Sequence, residues 1–464
     1  MSDVTHSRIA AAEEYLAERF EDLGAPGLAA GIVQGDELVW SAGFGVADLD
    51  AEQAPDKQTI SRVASITKTF TATAILQLRD EGLLTLDDPL STHVPEFAGV
   101  REASGRVGDV TLRRALTHYS GLSAETALLS WGAEEFPTRR EVLDALPQTS
   151  VVIPADSQFK YSNLAFGLLG EVVTRLSGVE YADYVRANVI EPLGMQHTAF
   201  EREDLPAERL YTGYDTVIPS DPSRTELRIA DYRHLNGILA AGQLHSTVAD
   251  LGRWISFQFR EDGGDRGGAQ VLSGRTLAEM HRPQYAEPDW SSGQCLPWAV
   301  RRVGDRVYHG HGGGIHGFAS MMTFNLPSRV GVVLLANTWP IDGVYTMGDE
   351  VMEVLLTGSP PSELRPPQTD LPAIESAPDR LAPYLGYYIA DPGVPVRIEF
   401  RGGELWMTAP AGEGYSIHAP ASMEETGEPD VFLLGDGRGV GERAVFASNN
   451  TNFTLGGWLY RRLD

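Results

Sequence analysis

Ser65-Ile66-Thr67-Lys68 sets a hydroxyl and an amine three residues apart at what reads as the start of a helix. At i, i+3 the two side chains share one helix face, one turn apart. A serine hydroxyl is a weak nucleophile until a neighbouring base takes its proton. A lysine whose pKa is lowered by burial can be that base. The positive end of a helix favours an oxyanion at the serine. Lysine is also scarce: Lys57, Lys68 and Lys160 stand against 34 arginines. Arginine keeps its proton at any ordinary pH, so a lysine at 68 points to a titratable amine. S-x-x-K alone also arises by chance, and its weight depends on the rest of the chain.

Two further segments carry suitable side chains. Tyr161-Ser162-Asn163 precedes an apolar helical run. A tyrosine whose pKa nearby cations lower can shuttle a proton, and an asparagine can hydrogen-bond a substrate amide. Taken singly, the segment reads equally as a packed tyrosine beside a capping asparagine. His309-Gly310-His311-Gly312-Gly313-Gly314-Ile315-His316-Gly317 follows. Its glycines permit close backbone approach, and free strand N–H groups there could hold an oxyanion. Three histidines in eight residues raise a metal site, but no acidic or sulfur ligand pattern elsewhere completes one. Gly312, Gly314 and Gly317 match a dinucleotide fingerprint in form only, because Phe318 to Phe324 reads as a strand and not a helix. Neither G-x-S-x-G nor H-E-x-x-H occurs.

The bulk properties bound the reading. At 464 residues, two or three domains are expected. A net charge of −27 spread along the chain argues against nucleic acid or an anionic membrane as partner. No apolar run is long enough to span a bilayer, and the first residues lack the pattern of a signal peptide, so a cytoplasmic address is expected. Cys295 is the one cysteine, which excludes an intrachain disulfide.

The elements that must position these residues follow from periodicity. An amphipathic helix is expected over 8–23, with Ile9, Tyr15, Leu16 and Phe20 inward. A hairpin is expected from Gly27–Val33 and Leu38–Gly43 about Gly35-Asp36. Ile66, Phe70, Ala74 and Leu78 recur every four residues before Gly82. Helices are expected at 165–176 and 248–257, and strands near 302–307, at 318–324 and at 330–336. The first and last parts could thus share one sheet, with the helical part beside it. Six prolines between 360 and 378 read as a stiff linker. Beyond them, short alternating runs at 396–400, 405–407, 431–434, 444–447 and 453–460 suggest a small β-barrel or sandwich. The expected fold class is α+β, divided into a domain over 1–357, a linker over 358–380 and a domain over 381–464.

In this order, S-x-x-K, Y-x-N and H-G-G before a strand resemble the serine β-lactamase and penicillin-binding protein superfamily. The likeness is to its class C β-lactamase-related serine hydrolases, which include esterases and D-amino-acid peptidases. Leu116 to Leu122, Phe159 to Asn163, Glu191 to Met195 and Gly317 to Ser320 match the same group. The resemblance covers roughly residues 8 to 357. The tail, opening at Tyr384-Leu385-Gly386-Tyr387-Tyr388, is similar to lipocalin-like domains appended to some of these hydrolases. The resemblance implies an antiparallel sheet flanked by helices, an all-helical subdomain and a C-terminal antiparallel barrel. It implies Ser65 as acylated nucleophile, Lys68 as its base and Tyr161 as proton relay. It implies Asn163 as a holder of the substrate amide, and the N–H groups of Ser65 and Gly314, with Gly313 beside them, as an oxyanion site. His311 stands where many relatives carry the lysine of a K-T-G motif.

The expected activity is therefore a serine hydrolase that passes through an acyl-enzyme on an ester or amide, peptides containing D-amino acids among the candidates. Neither metal nor cofactor is called for. The partner expected is a small molecule or peptide, with homo-oligomerisation left open. An acyltransferase or peptide cyclase on the same scaffold is the alternative. Histidine is mostly neutral at pH 7, so His311 weakens the case for β-lactam or D-Ala-D-Ala substrates, which carry a carboxylate. A non-catalytic module would have no reason to keep both Lys68 and Tyr161. Arg461 and Arg462 read either as a solvated tail or as partners for a substrate carboxylate. Specificity should lie in the loops around 120–150, 211–235 and 285–300.

Overall fold

Two strands far apart in sequence show why the sheet closes. In Gly27–Gln34 (β1) Leu28, Ala30 and Ile32 alternate with Ala29 and Val33, and all five are buried. Val330–Ala336 (β8) is buried at every position. Strands covered on both faces read as continuous apolar runs. The two pair antiparallel, Leu28 opposite Ala336 and Gln34 opposite Val330, so the beginning and end of the region do share one sheet.

The computed structural model describes residues 4–51, 53–217, 226–260, 271–339, 343–360, 372–391, 393–409 and 420–463. With Glu37–Gly45 (β2), Tyr285–Ala286 (β3), Ser292–Gln294 (β4), Ala299–Val303 (β5), Arg306–Ile315 (β6) and Phe318–Asn325 (β7), the sheet has eight strands in the order β2-β1-β8-β7-β6-β5-β4-β3. Helices His6–Glu21 (α1) and Gly343–Thr357 (α5) cover one face, where Leu16, Ile32, Leu334 and Val351 share a core. The other face meets Thr67–Asp80 (α2), Asn163–Ser177 (α3) and Val248–Gln258 (α4), where Ile66, Phe70, Leu168, Trp254 and Leu335 form the second core. The helical region also carries short strand pairs, such as Arg101–Glu102 beside Ser150–Val151.

Two expected strands are in fact hairpins. The run 302–307 turns at Gly304 (φ +58°), pairing Val303 with Arg306. The run 453–460 turns at Gly456 and Gly457 (φ +54° and +80°), pairing Leu455 with Trp458. Alternation survives a two-residue turn, so periodicity alone does not reveal it. The glycine-rich segment expected ahead of a strand lies inside one, because β6 runs through to Ile315.

The C-terminal residues form a closed antiparallel barrel of eight strands: Gly386–Ala390 (β9), Val394–Arg401 (β10), Glu404–Thr408 (β11), Ala421–Glu425 (β12), Val431–Leu434 (β13), Arg443–Phe446 (β14), Asn452–Leu455 (β15) and Trp458–Arg462 (β16). Closure pairs every edge. Its interior is filled, with Phe453 stacked on Tyr460 at 4.7 Å and Tyr388 at 5.1 Å from Phe453. Much of the proline-rich linker, residues 361–371, lies outside the described residues. Downstream, Glu375 N–H donates to Phe400 O at 2.9 Å, so this end of the expected linker lies against the barrel. Arg461 and Arg462 belong to the closing strand, and Arg462 donates to the carbonyls of Pro383 and Leu385. No helix among the described residues is long and apolar enough to cross a membrane.

Candidate active site

Ser65 sits in a single 3-10 turn, Ala64–Ile66, ahead of α2. Ala64 is held at φ +47°, a backbone region that a side chain with Cβ disfavours. The turn is pinned from several directions. Thr67 Oγ1 donates to Ala64 O at 2.7 Å, Leu244 N–H donates to Thr67 Oγ1 at 3.0 Å, and Ser320 Oγ donates to Val63 O at 2.9 Å.

Lys68, one turn on, is fully buried. Its Nζ lies 3.1 Å from Ser65 Oγ, 2.7 Å from Asn163 Oδ1 and 2.7 Å from Ala241 O. Burial drives its pKa well below that of an ordinary lysine; the charge of Arg438 adds to this and Glu125 opposes it. Tyr161 OH donates to Ser65 Oγ at 2.8 Å. Asn163 opens α3, and Ser162 Oγ caps that helix by accepting from Ala165 N–H at 3.0 Å. The condition of a Tyr161 pKa lowered by nearby cations is not met. Burial raises its pKa and outweighs the pull of Arg438 and of the Ser65 hydrogen bond in the other direction. A desolvated phenol holds its proton, and one flanking guanidinium does not overcome that.

His118, at φ +61°, stacks on Tyr161 with ring centres 4.2 Å apart and takes the Ser162 N–H on Nδ1 at 3.1 Å. From the barrel, the Arg438 guanidinium lies 4.2 Å above the Tyr161 ring. Its loop, between β13 and β14, is docked by Glu442, whose Oε1 takes Lys160 Nζ at 2.8 Å and Ala124 N–H at 2.7 Å.

The opposite wall is β6. Its pairing with β5 stops at Gly310, opposite Ala299, so its onward edge faces the cleft. A Cβ on Gly313 would stand 2.2 Å from Val63 O and 3.0 Å from Ser65 N. One on Gly314 would stand 2.4 Å from Trp339 Nε1. Only glycine fits at either position, which brings bare backbone beside the serine. His311 lines the same cleft and donates from Nδ1 to Gly312 O at 2.7 Å. Burial, with Lys68 nearby, pushes its pKa down to about 3, so it is neutral at pH 7. His309 Nε2 meets His281 O at 3.0 Å, and His316, which lines the same cleft, meets Asp215 through Nδ1 at 3.2 Å. Among the described residues no cluster of three or more His, Cys, Asp or Glu could hold a metal ion.

Ser65, Tyr161, Asn163, His311, Gly313 and Gly314 therefore line one cavity of about 550 Å³, and Lys68 lies beneath it. The sequence reading missed Glu125, His118, Arg438 and the aromatic wall of Trp131, Trp339 and Trp458. The loop over 120–150 was expected to shape specificity, and it supplies Glu125 and Trp131. Nothing in the tail sequence marks Arg438.

A β-lactamase family model matches residues 12–355. "Beta-lactamase-like protein 2" of Dictyostelium discoideum is 27% identical over 331 residues, 69% of this chain and 58% of that protein. The chain thus spans less than two thirds of that relative's length. The octameric penicillin-binding protein homologue from Pyrococcus abyssi superposes with a TM-score of 0.64 at 21% identity, over 97% of this chain and 99% of that one. The D-amino acid amidase from Ochrobactrum anthropi gives 0.62 at 24% identity, over 75% of this chain and 96% of that one. At these identities the two structures establish the fold, and the sequence match over 12–355 establishes kinship: the chain belongs to the β-lactamase family.

Proposed function

We propose that the chain is a serine hydrolase that works through an acyl-enzyme at Ser65. The observation that carries this reading is the set of partners around Lys68 Nζ. Two of its three neighbours, Asn163 Oδ1 and Ala241 O, are carbonyl oxygens that only accept. A neutral amine has two N–H groups and one lone pair. With both N–H groups directed at the carbonyls, the lone pair is left for the Ser65 hydroxyl at 3.1 Å. Burial favours that neutral form.

In this reading Lys68 takes the Ser65 proton as Oγ attacks the carbonyl. The N–H groups of Ser65 and Gly314 hold the oxyanion, a contribution of about 3–4 kcal/mol to lowering the barrier. Tyr161, protonated and bonded to Ser65 Oγ, passes its proton to the leaving group and is restored by way of Lys68. Water then releases the acyl group. The substrate is an ester or amide, with peptides containing D-residues as the class favoured by the likeness to the O. anthropi amidase. Neutral His311 gives no charge to a substrate carboxylate, which argues against β-lactams. A fluorophosphonate probe tests the reading: the label should map to Ser65, and labelling elsewhere or not at all would contradict it.

Acyl transfer to an amine is the second reading. It is favoured by the barrel's part in the cleft, where Arg438, Gly456 and Trp458 add a wall against which a second substrate could rest. Product analysis with an added amine separates the two. Assembly of several copies, as the P. abyssi homologue's octamer suggests, belongs to the same proposal and is read by light scattering.

A further inference from the structure

One polar group in the cleft has no part in this chemistry. Glu125 lines the cavity with Ser65, yet it is only 9% exposed. Its Oε1 accepts from Asn163 Nδ2 at 2.6 Å, and its Oε2 is buried with no hydrogen-bond partner. Among the described residues no arginine or lysine forms an ion pair with it. Lys160, the other buried lysine, is paired with Glu442. The buried N–H of Trp131 is close enough to favour the ionised carboxyl, but it closes no hydrogen bond. A buried carboxyl oxygen without a partner is destabilising in a closed protein interior. In a substrate cleft, the same oxygen becomes an acceptor for a substrate donor once the carboxyl is ionised.

We propose that Glu125 reads a protonated amine on the acyl portion of the substrate, next to the carbonyl that Ser65 attacks. The class of substrate is then the ester or amide of an amino acid, or of a peptide, with a free ammonium group. This rests on the hydrolase reading above and narrows it. Placement is the first argument. Glu125 is joined to the nucleophile through only two side chains, Asn163 at 2.6 Å and Lys68 at 2.7 Å from Asn163. Its free oxygen therefore lies close to where an α-substituent of the acyl group would sit. Charge is the second. The groups around Glu125 are Lys68 from α2, which favours its ionisation, and Glu442 from the barrel loop, which opposes it. In the empty cleft, burial lifts its pKa to about 8, so it is mostly protonated at pH 7. An incoming amine takes the carboxyl proton, and the ammonium so formed supplies the counter-charge and a donor for the ionised Oε2. A neutral acyl group supplies neither.

The test uses the full chain and two pairs of esters. Phenylalanine p-nitrophenyl esters of D and L configuration are compared with the 3-phenylpropionyl ester, which lacks only the amine. Wild type should prefer the better amino ester by about 10- to 100-fold in kcat/KM, the factor that a charge-assisted hydrogen bond of 1.5–3 kcal/mol carries. Glu125→Gln keeps an oxygen for Asn163 Nδ2 and removes the charge, and it should abolish most of that preference. Because each preparation is read with both substrates, partial misfolding scales both rates and leaves the ratio intact. An unchanged ratio in Glu125→Gln, with both rates lowered alike, would overturn the inference and leave Glu125 as a support for Asn163. Equal use of amino and des-amino esters by wild type would overturn it while the hydrolase reading stands. Failure of wild type to acylate Ser65 with any of these esters would overturn both.

Discussion

The two walls of the cleft are built on different principles. The wall from Ser65, Lys68, Tyr161 and Asn163 is a chain of hydrogen bonds between 2.7 and 3.1 Å, with its titratable groups buried and pushed away from their ordinary pKa values. The wall from the barrel contributes one cation, Arg438, and one aromatic, Trp458, which stacks 5.5 Å from Trp131. In the proposed reaction the first wall holds the groups that make and break bonds. The second would act on them through the charge of Arg438. A cation stands 4.2 Å above the Tyr161 ring and lowers the Lys68 pKa, so in the proposed reaction it would tune the base without touching the nucleophile. The barrel thus lines the same cleft as Ser65, whatever joins it to the first region of the chain.

The largest effect should come from breaking the first wall. Lys68→Arg should lose activity almost as completely as Lys68→Ala, by about 10³-fold or more, since neither side chain offers a neutral amine. Steady-state kinetics on a neutral ester decide this. Substantial activity in the Arg variant would show that position 68 needs only a positive charge.

Breaking the second wall should give a smaller and pH-dependent effect. Lys68 acts when neutral, so activity falls as pH drops through its pKa. Burial sets that pKa low; Arg438 lowers it further, and Glu125 opposes it. Arg438→Ala should therefore let the Lys68 pKa rise and move the acid limb of the kcat/KM profile to higher pH. The loss should be severalfold at the acid side and little at the alkaline side. A uniform loss at every pH would mean that Arg438 acts by packing alone.

The smallest effect is expected at His311, which belongs to neither set of charges because it is neutral at pH 7. His311→Lys places a cation on the cleft edge of β6. It should raise the kcat/KM ratio of carboxylate-bearing to neutral substrates by up to about 10-fold at low salt. An unchanged ratio would show that this side chain does not face bound substrate.

The same division decides what could be read from the sequence. Ser65 and Lys68 are legible because their geometry is local: a helical turn fixes i and i+3. The β1 to β8 pairing is legible because two-faced burial leaves continuous apolar runs. Tyr161 lies 96 residues from Ser65, so no local rule joins them, and only the ordered set of motifs resembling a family did so. Glu125 escaped because its importance comes from an unmet oxygen in a folded cleft. Arg438 escaped because its position depends on the docking of a barrel loop through Glu442 and Lys160, 282 residues apart. The direction of the Tyr161 pKa was not legible either, because desolvation, a property of the packed state, outweighs the charges near it.

The central claim is that Ser65 becomes acylated. Intact-protein mass spectrometry after incubation with a slowly hydrolysed ester tests it most directly. Wild type should gain the mass of one acyl group, and Ser65→Ala, folded to the same circular dichroism spectrum, should gain none. A covalent adduct of equal yield on the alanine variant would contradict the account.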